Sequence, residues 1–156
     1  MAVQVGQAAP SFSLVDTDRK VRSLDEFKGS KTVLVFYPGA FTGVCTKELC
    51  TFRDSMSRFN ELSAKVVGIS VDAPFANKAF ATQHQLEFPL LSDYNREAVK
   101  AYGIALDNFA GLSGYTASQR AVFALDKNGV IRYVEVTANP GVEPNYDALV
   151  AALGTF

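Results

Sequence analysis

The sequence predicts an α/β protein, with a central mixed β-sheet flanked by helices. Three observations lead there. Short β-branched apolar runs alternate with segments whose apolar residues recur every three or four positions. The stretches between the early runs are long enough for the crossovers that parallel strands need. Later, two strand-like runs flank DKNG, a tight-turn signal for an antiparallel pair.

Each element has its own reason. TVLVFY (32–37) is apolar almost throughout rather than alternating, as a strand buried on both faces should be. Pro38-Gly39 ends it. Leu49, Phe52, Met56, Phe59 and Leu62 then fall three and four apart, the inner stripe of one amphipathic helix. KVVGISV (65–71) is a second buried strand. Residues 74–85 form a helix with Pro74 in its first turn. FPLL (88–91) is a short strand, and NREAVKAYG (95–103) is a short helix stopped by Gly103. The hairpin occupies 121–136, and a last helix spans 146–153. The order βαβαβα, hairpin, α implies a mainly parallel sheet with an antiparallel hairpin at one side.

The 156 residues suit one domain, 1–156. With 48% hydrophobic and 20% charged residues the chain should be globular and soluble. A formal net charge of -1 without a basic run argues against nucleic acid or an anionic membrane as partner. No apolar run is long enough to span a bilayer. MAVQVGQAAP lacks the layout of a signal peptide, so the expected location is cytoplasmic, where thiols stay reduced. A permanent disulfide is not expected there, but one that forms and breaks in a cycle is compatible.

Both cysteines lie in YPGAFTGVCTKELC (37–50), at positions 45 and 50. In such a sheet, ligands are expected just beyond the carboxyl ends of strands. With Thr42 as helix N-cap, its hydroxyl can accept from a free amide two or three residues on. Cys45 then falls in the first turn, where unpaired amides favour a thiolate, the reactive form. Pro38 can shield that pocket. Five residues along a helix separate two Cα atoms by roughly 8 to 9 Å. Disulfides seldom tolerate more than about 7 Å, so Cys45 and Cys50 cannot bond unless the first turns unwind. The bland alternative for either is a small packing hydrophobe. Structural zinc wants four ligands, and the only other soft candidate is His84, expected at the surface late in its helix. Neither a metal nor an organic cofactor is expected, since no phosphate-cradling Gly motif occurs.

Pro38, Thr42 and Cys45 spell Pro-x-x-x-Thr-x-x-Cys. With FYPGAFTGVCTKEL, FPLLSD (88–93) and RAVFALDKNGVIRY (120–133), the chain resembles the peroxiredoxin family over nearly its whole length. The resemblance implies a thioredoxin-like fold and thiol-dependent reduction of hydrogen peroxide or organic hydroperoxides. It makes Cys45 the attacking thiol, Thr42 the hydroxyl that meets the peroxide and Pro38 the shield. Arg120 becomes the guanidinium that approaches the thiolate, and Glu48 the carboxylate that orients it. A cysteine five positions on resembles the Q-type subfamily, the bacterioferritin-comigratory proteins, in which it resolves the sulfenic acid; that role would fall to Cys50. AFTGVC and FPLLSD also resemble the one-cysteine AhpE-type branch. The implied partners are a hydroperoxide and a thioredoxin or glutaredoxin-like reductant, and the implied assembly is a monomer or homodimer.

Other readings stay open at this point. They are a one-cysteine enzyme resolved by an outside thiol, a protein dithiol-disulfide oxidoreductase, and a non-catalytic redox sensor. The second usually carries Cys-x-x-Cys, from which this spacing departs. Arg120 could be a surface ion pair and Glu48 an exposed helix carboxylate. The segment 106–119 is either a wall of the pocket or a plain connecting loop.

Overall fold

The computed structural model describes residues 2–156. Near its start, β1 (Ser13–Val15) and β2 (Val21–Ser23) form a hairpin. No strand was expected there, because three-residue strands are too short to show alternation. Asp16 makes the turn: its Oδ1 accepts from the amides of Asp18 (2.8 Å) and Lys20 (3.0 Å). A 3-10 turn, Leu24–Phe27, leads into β3 (Lys31–Phe36). Next come α1 (Gly43–Asp54), α2 (Met56–Glu61), β4 (Ala64–Ser70), α3 (Pro74–His84), β5 (Leu90–Ser92) and α4 (Glu97–Ala101). A small hairpin, β6 (Ala105–Leu106) with β7 (Ala117–Ser118), precedes β8 (Ala121–Leu125), β9 (Ile131–Val136) and α5 (Tyr146–Leu153).

The main sheet has seven strands in the order β2-β1-β5-β4-β3-β8-β9. It is mixed, as expected, but not mainly parallel. Only β3–β4 and β4–β5 run parallel, while the N-terminal hairpin and β8 add antiparallel neighbours on both sides. The stripe read as one helix is two. Ser55 departs from helical geometry (φ -102°, ψ 7°) and separates α1 from α2, although the apolar stripe continues across the break. The hairpin turn forms where DKNG predicts it. Gly129 takes φ 80°, and Asp126 Oδ1 accepts from the amides of Asn128 and Val130 at 2.9 and 3.0 Å.

Alternation along β3 divides the core. Leu34 and Phe36 enter a cluster with Phe123, Tyr102, Val99 and Ile131. Val33, Val35 and Tyr37 enter another with Cys45, Leu49, Phe52, Phe80, Val122 and Leu149. Helices α1, α2, α3 and α5 therefore cover the face that carries the cysteine turn. Gly68 makes room for the side chain of Leu90 on the neighbouring β5: a Cβ there would sit 2.6 Å from Leu90 Cδ2. The segment 106–119 does not wall the cysteine; Phe109 and Tyr115 pack against the opposite cluster.

Candidate active site

The loop from β3 to α1 is tied down from β4. Asp72, just past the end of β4, accepts through Oδ2 from the Ala40 amide (2.8 Å) and from the Ser70 hydroxyl (2.8 Å). Tyr37 donates to Asn77 Oδ1 at 2.8 Å, and Asn77 Nδ2 donates to Ser70 Oγ at 3.3 Å. Burial pushes the Tyr37 hydroxyl far above its ordinary range, so it stays a neutral donor. Pro38 and Gly39 are buried, whereas Phe41 and Thr42 are exposed. Phe41 adopts φ 65°, a left-handed conformation uncommon outside glycine, and its ring stacks edge-on to Phe80 at 5.2 Å.

Thr42 is the N-cap of α1, but its hydroxyl does not accept from an amide there. It donates instead to the Gly39 carbonyl at 2.8 Å, closing the loop rather than the helix. That corrects the expected cap. With its proton committed, the Thr42 oxygen is left as an acceptor. The first helical bond runs from the Thr46 amide to the Thr42 carbonyl (2.9 Å). The amides of Gly43, Val44 and Cys45 precede it and lack helical partners.

Cys45 is buried in this first turn. Arg120, immediately before β8, donates from Nη2 to Cys45 Sγ at 3.2 Å and from Nη1 to Glu48 Oε1 at 2.8 Å. Arg120 and Glu48 are both buried, so neither is the exposed surface charge of the bland readings. The Pro140 carbonyl accepts from Arg120 Nε (3.1 Å) and Nη2 (2.7 Å). Glu48 Oε2 has no hydrogen-bond partner among the described residues. Burial pushes the Glu48 carboxyl up to about 7 despite the pull of Arg120, and the charges of Glu143 and Glu135 add to that push. Burial opposes the charge of Arg120, yet Cys45 and Glu48 beside it hold the guanidinium above its ordinary value. A permanent cation thus touches a sulfur at the amide-rich start of a helix.

Comparison with known proteins gives the family and the fold. The family model described as the AhpC/TSA family matches residues 5–134. The chain is 46% identical over 132 residues to a chloroplastic peroxiredoxin Q from Populus jackii, covering 85% of this chain and 60% of that one. It is 39% identical over 134 residues to a protein named as a peroxiredoxin bcp from Coxiella burnetii, covering 86% and 89%. The chain belongs to the peroxiredoxin (AhpC/TSA) family. Its fold superposes on the crystal structure of peroxidoxin BcpB from Mycobacterium tuberculosis with a TM-score of 0.86, at 29% identity, covering 98% and 97% of the two chains. Like the poplar protein, several plant relatives are longer: this chain spans about three fifths of their length.

For a peroxiredoxin, the layout gathers some of the residues singled out in the sequence and separates others. Cys45, Glu48 and Arg120 meet, with Pro38 and Thr42 on the loop that enters α1. Cys50 is a half-buried free thiol further along the same unbroken helix. His84 is half-buried, its ring edge-on to Phe80 at 5.1 Å and 6.5 Å from that of Phe41. No group of three or more His, Cys, Asp or Glu among the described residues could hold a metal. The sequence reading missed Asp72, Tyr37, Asn77 and the Pro140 carbonyl. Asp72 follows a predicted strand, which is one usable signal. Asn139-Pro140-Gly141 is a turn signal, but nothing in it reveals which carbonyl faces the arginine.

Proposed function

We propose that this chain is a thiol-dependent peroxidase for hydrogen peroxide and organic hydroperoxides, with 1–156 acting as one thioredoxin-like domain. One observation carries the reading: the Arg120 guanidinium touches Cys45 Sγ and Glu48 Oε1 at once, out of contact with bulk water. A buried fork of donors beside a thiolate stabilises both the nucleophile and the negative charge that grows on the leaving oxygen.

In the first step the Cys45 thiolate attacks one peroxide oxygen. The S–O bond forms as the O–O bond breaks, giving Cys45 sulfenic acid and a hydroxide or alkoxide that takes up a proton. Arg120 and the free amides of the first helical turn supply donors; Thr42 accepts from the peroxide hydroxyl. Pro38 keeps water from the sulfur. In the second step the start of α1 unwinds, and the Cys50 thiol condenses with the sulfenic acid to give a disulfide and water. A thioredoxin or glutaredoxin-like dithiol then reduces that disulfide, becoming a disulfide itself. This cycle suits a cytoplasmic compartment, where thiols are kept reduced. No helix of the described residues is long and apolar enough to cross a membrane.

Intact mass after one equivalent of peroxide tests the reading. The reduced parent should lose two hydrogens, and a Cys50→Ser variant should gain one oxygen. Equal oxygen gain in both would make Cys50 a bystander and leave resolution to an outside thiol. No reaction in either would reject peroxidase chemistry.

A further inference from the structure

The Arg120 guanidinium has three partners, and two of them move in the cycle just described. Cys45 and Glu48 both ride on α1, the helix whose start must open for Cys50 to reach the sulfenic acid. The third, the Pro140 carbonyl, does not. It takes two hydrogen bonds from Arg120, one of them from the Nη2 that also reaches Cys45. The strap 137–144 after β9 presents this carbonyl, and its own bonds fix its shape. The Thr137 amide donates to the Arg120 carbonyl (3.0 Å), and the Thr137 hydroxyl donates to the Asn139 carbonyl (2.9 Å). Asn139 Oδ1 accepts from the Gly141 amide (2.8 Å), which folds the chain tightly around Pro140. Glu143 links the strap to α1 through a bridge to Lys47 (3.1 Å).

We propose that Asn139 is a positioning residue for the peroxide reaction: by closing the turn around Pro140 it aims that carbonyl at Arg120, and so holds the guanidinium against Cys45 independently of α1. The side chain of Asn139 is exposed and has no role in the apolar core. Its bond to Gly141 is local, so its loss loosens the turn without opening the fold. A small displacement of a preorganised donor is costly in rate even when it costs little in stability. The strap also gives Arg120 a fixed mooring while α1 is open, so that the site reassembles around a guanidinium already in place.

This inference rests on the peroxidase reading, and one experiment separates the two. The second-order rate of oxygen uptake by reduced protein is followed by quenched-flow intact mass, all in the Cys50→Ser background. Asn139→Ala should lower that rate by about tenfold. Asn139→Asp, which keeps an acceptor for the Gly141 amide, should restore it to within about twofold. Combined with Arg120→Lys, which cannot make the fork, Asn139→Ala should cost nothing further. If the parent takes up no oxygen, the peroxidase reading fails. If the parent reacts and Asn139→Ala reacts equally fast, the positioning role fails alone. If Ala and Asp slow it alike, or the loss adds in full to that of Arg120→Lys, Asn139 acts through the fold and not through Arg120.

Discussion

The two faces of the central sheet are built from the same strands, yet they hold different things. On one side of β3, Phe36, Tyr102 and Phe123 pack ring to ring at 5.1 to 5.7 Å in a core that is apolar and closed. On the other, one residue away in register, Tyr37 bonds to Asn77 and Cys45 lies under Arg120 beside Glu48, a carboxylate with one oxygen unpartnered. Both faces pack apolar side chains that hold the fold together. The second carries buried charge, a left-handed Phe41 and a helix start without capping by its Thr42 side chain. Apolar packing is thus shared by both sides of the sheet, whereas the groups suited to chemistry are confined to one, and substitutions should separate the two contributions.

The widest separation is between Phe123→Ala and Cys45→Ser. Removing a fully buried aromatic should cost about 3 to 5 kcal/mol of stability. Cys45→Ser should abolish peroxide consumption while changing stability by less than about 1 kcal/mol. Urea melts and a peroxide assay on both proteins check this. A Cys45→Ser variant as unstable as Phe123→Ala would mean that the thiol itself is a main contributor to the packing of its cluster.

Arg120→Met should affect both quantities. Oxidation of Cys45 should slow by about 10²- to 10³-fold as preorganised donors are lost. Glu48 is then left buried without its cation, a loss of about 3 kcal/mol or more. Adding Glu48→Gln removes the stranded carboxylate, so the double variant should regain stability and no activity. If it regains neither, the ion pair is not what the single variant broke.

These contrasts also mark how far the sequence could be read. The buried strands and the final helix were legible because apolar periodicity reports burial directly, and α5 falls where the pattern places it. Cys45, Glu48 and Arg120 could be singled out by side-chain chemistry, and the fold brings the three together. The break at Ser55 was not, since the apolar stripe runs through it. Nor was the sheet's antiparallel N-terminal edge, built from three-residue strands. The Pro140 carbonyl was hidden for another reason: a backbone acceptor is the same in every residue, and only folding decides which one meets an arginine.

The acid side of the comparison rests on Glu48. Its folded carboxyl is raised from 4.5 to about 7 by burial, above its value in an unfolded chain. The folded protein therefore binds the extra proton, and stability falls as pH rises from about 4.5 through 7. The cost is fully present above that window and absent below it, up to about 3 kcal/mol. Asp16 and Asp126, held low chiefly by backbone amides against the cost of burial, act in the opposite sense, and they act below pH 4. Melts at pH 5 and pH 8 should show the parent losing stability relative to Glu48→Gln. A constant difference would mean that Glu48 stays charged across the range, paired fully by Arg120.

The smallest effect should come from the bridge between Lys47 and Glu143, which joins the strap to α1 across the protein surface. It is short, at 3.1 Å, but the lysine side chain is 72% exposed. Exposed pairs contribute about 0 to 1 kcal/mol, and salt weakens them further. Glu143 keeps a second partner, the Tyr146 hydroxyl at 2.7 Å, so the strap stays anchored to α5 when Lys47 is removed. Lys47→Ala should therefore leave the oxidation rate of Cys45 within about twofold and stability within about 0.5 kcal/mol. Its effect should appear in the step that opens α1: with one tether fewer, disulfide formation after oxidation should be somewhat faster, and more so at low salt. A rate of disulfide formation unchanged at every ionic strength would mean that α1 opens without parting Lys47 from Glu143. The unwinding would then have to begin C-terminal to Lys47, between Glu48 and Cys50, and the first turn that holds Cys45 would stay folded.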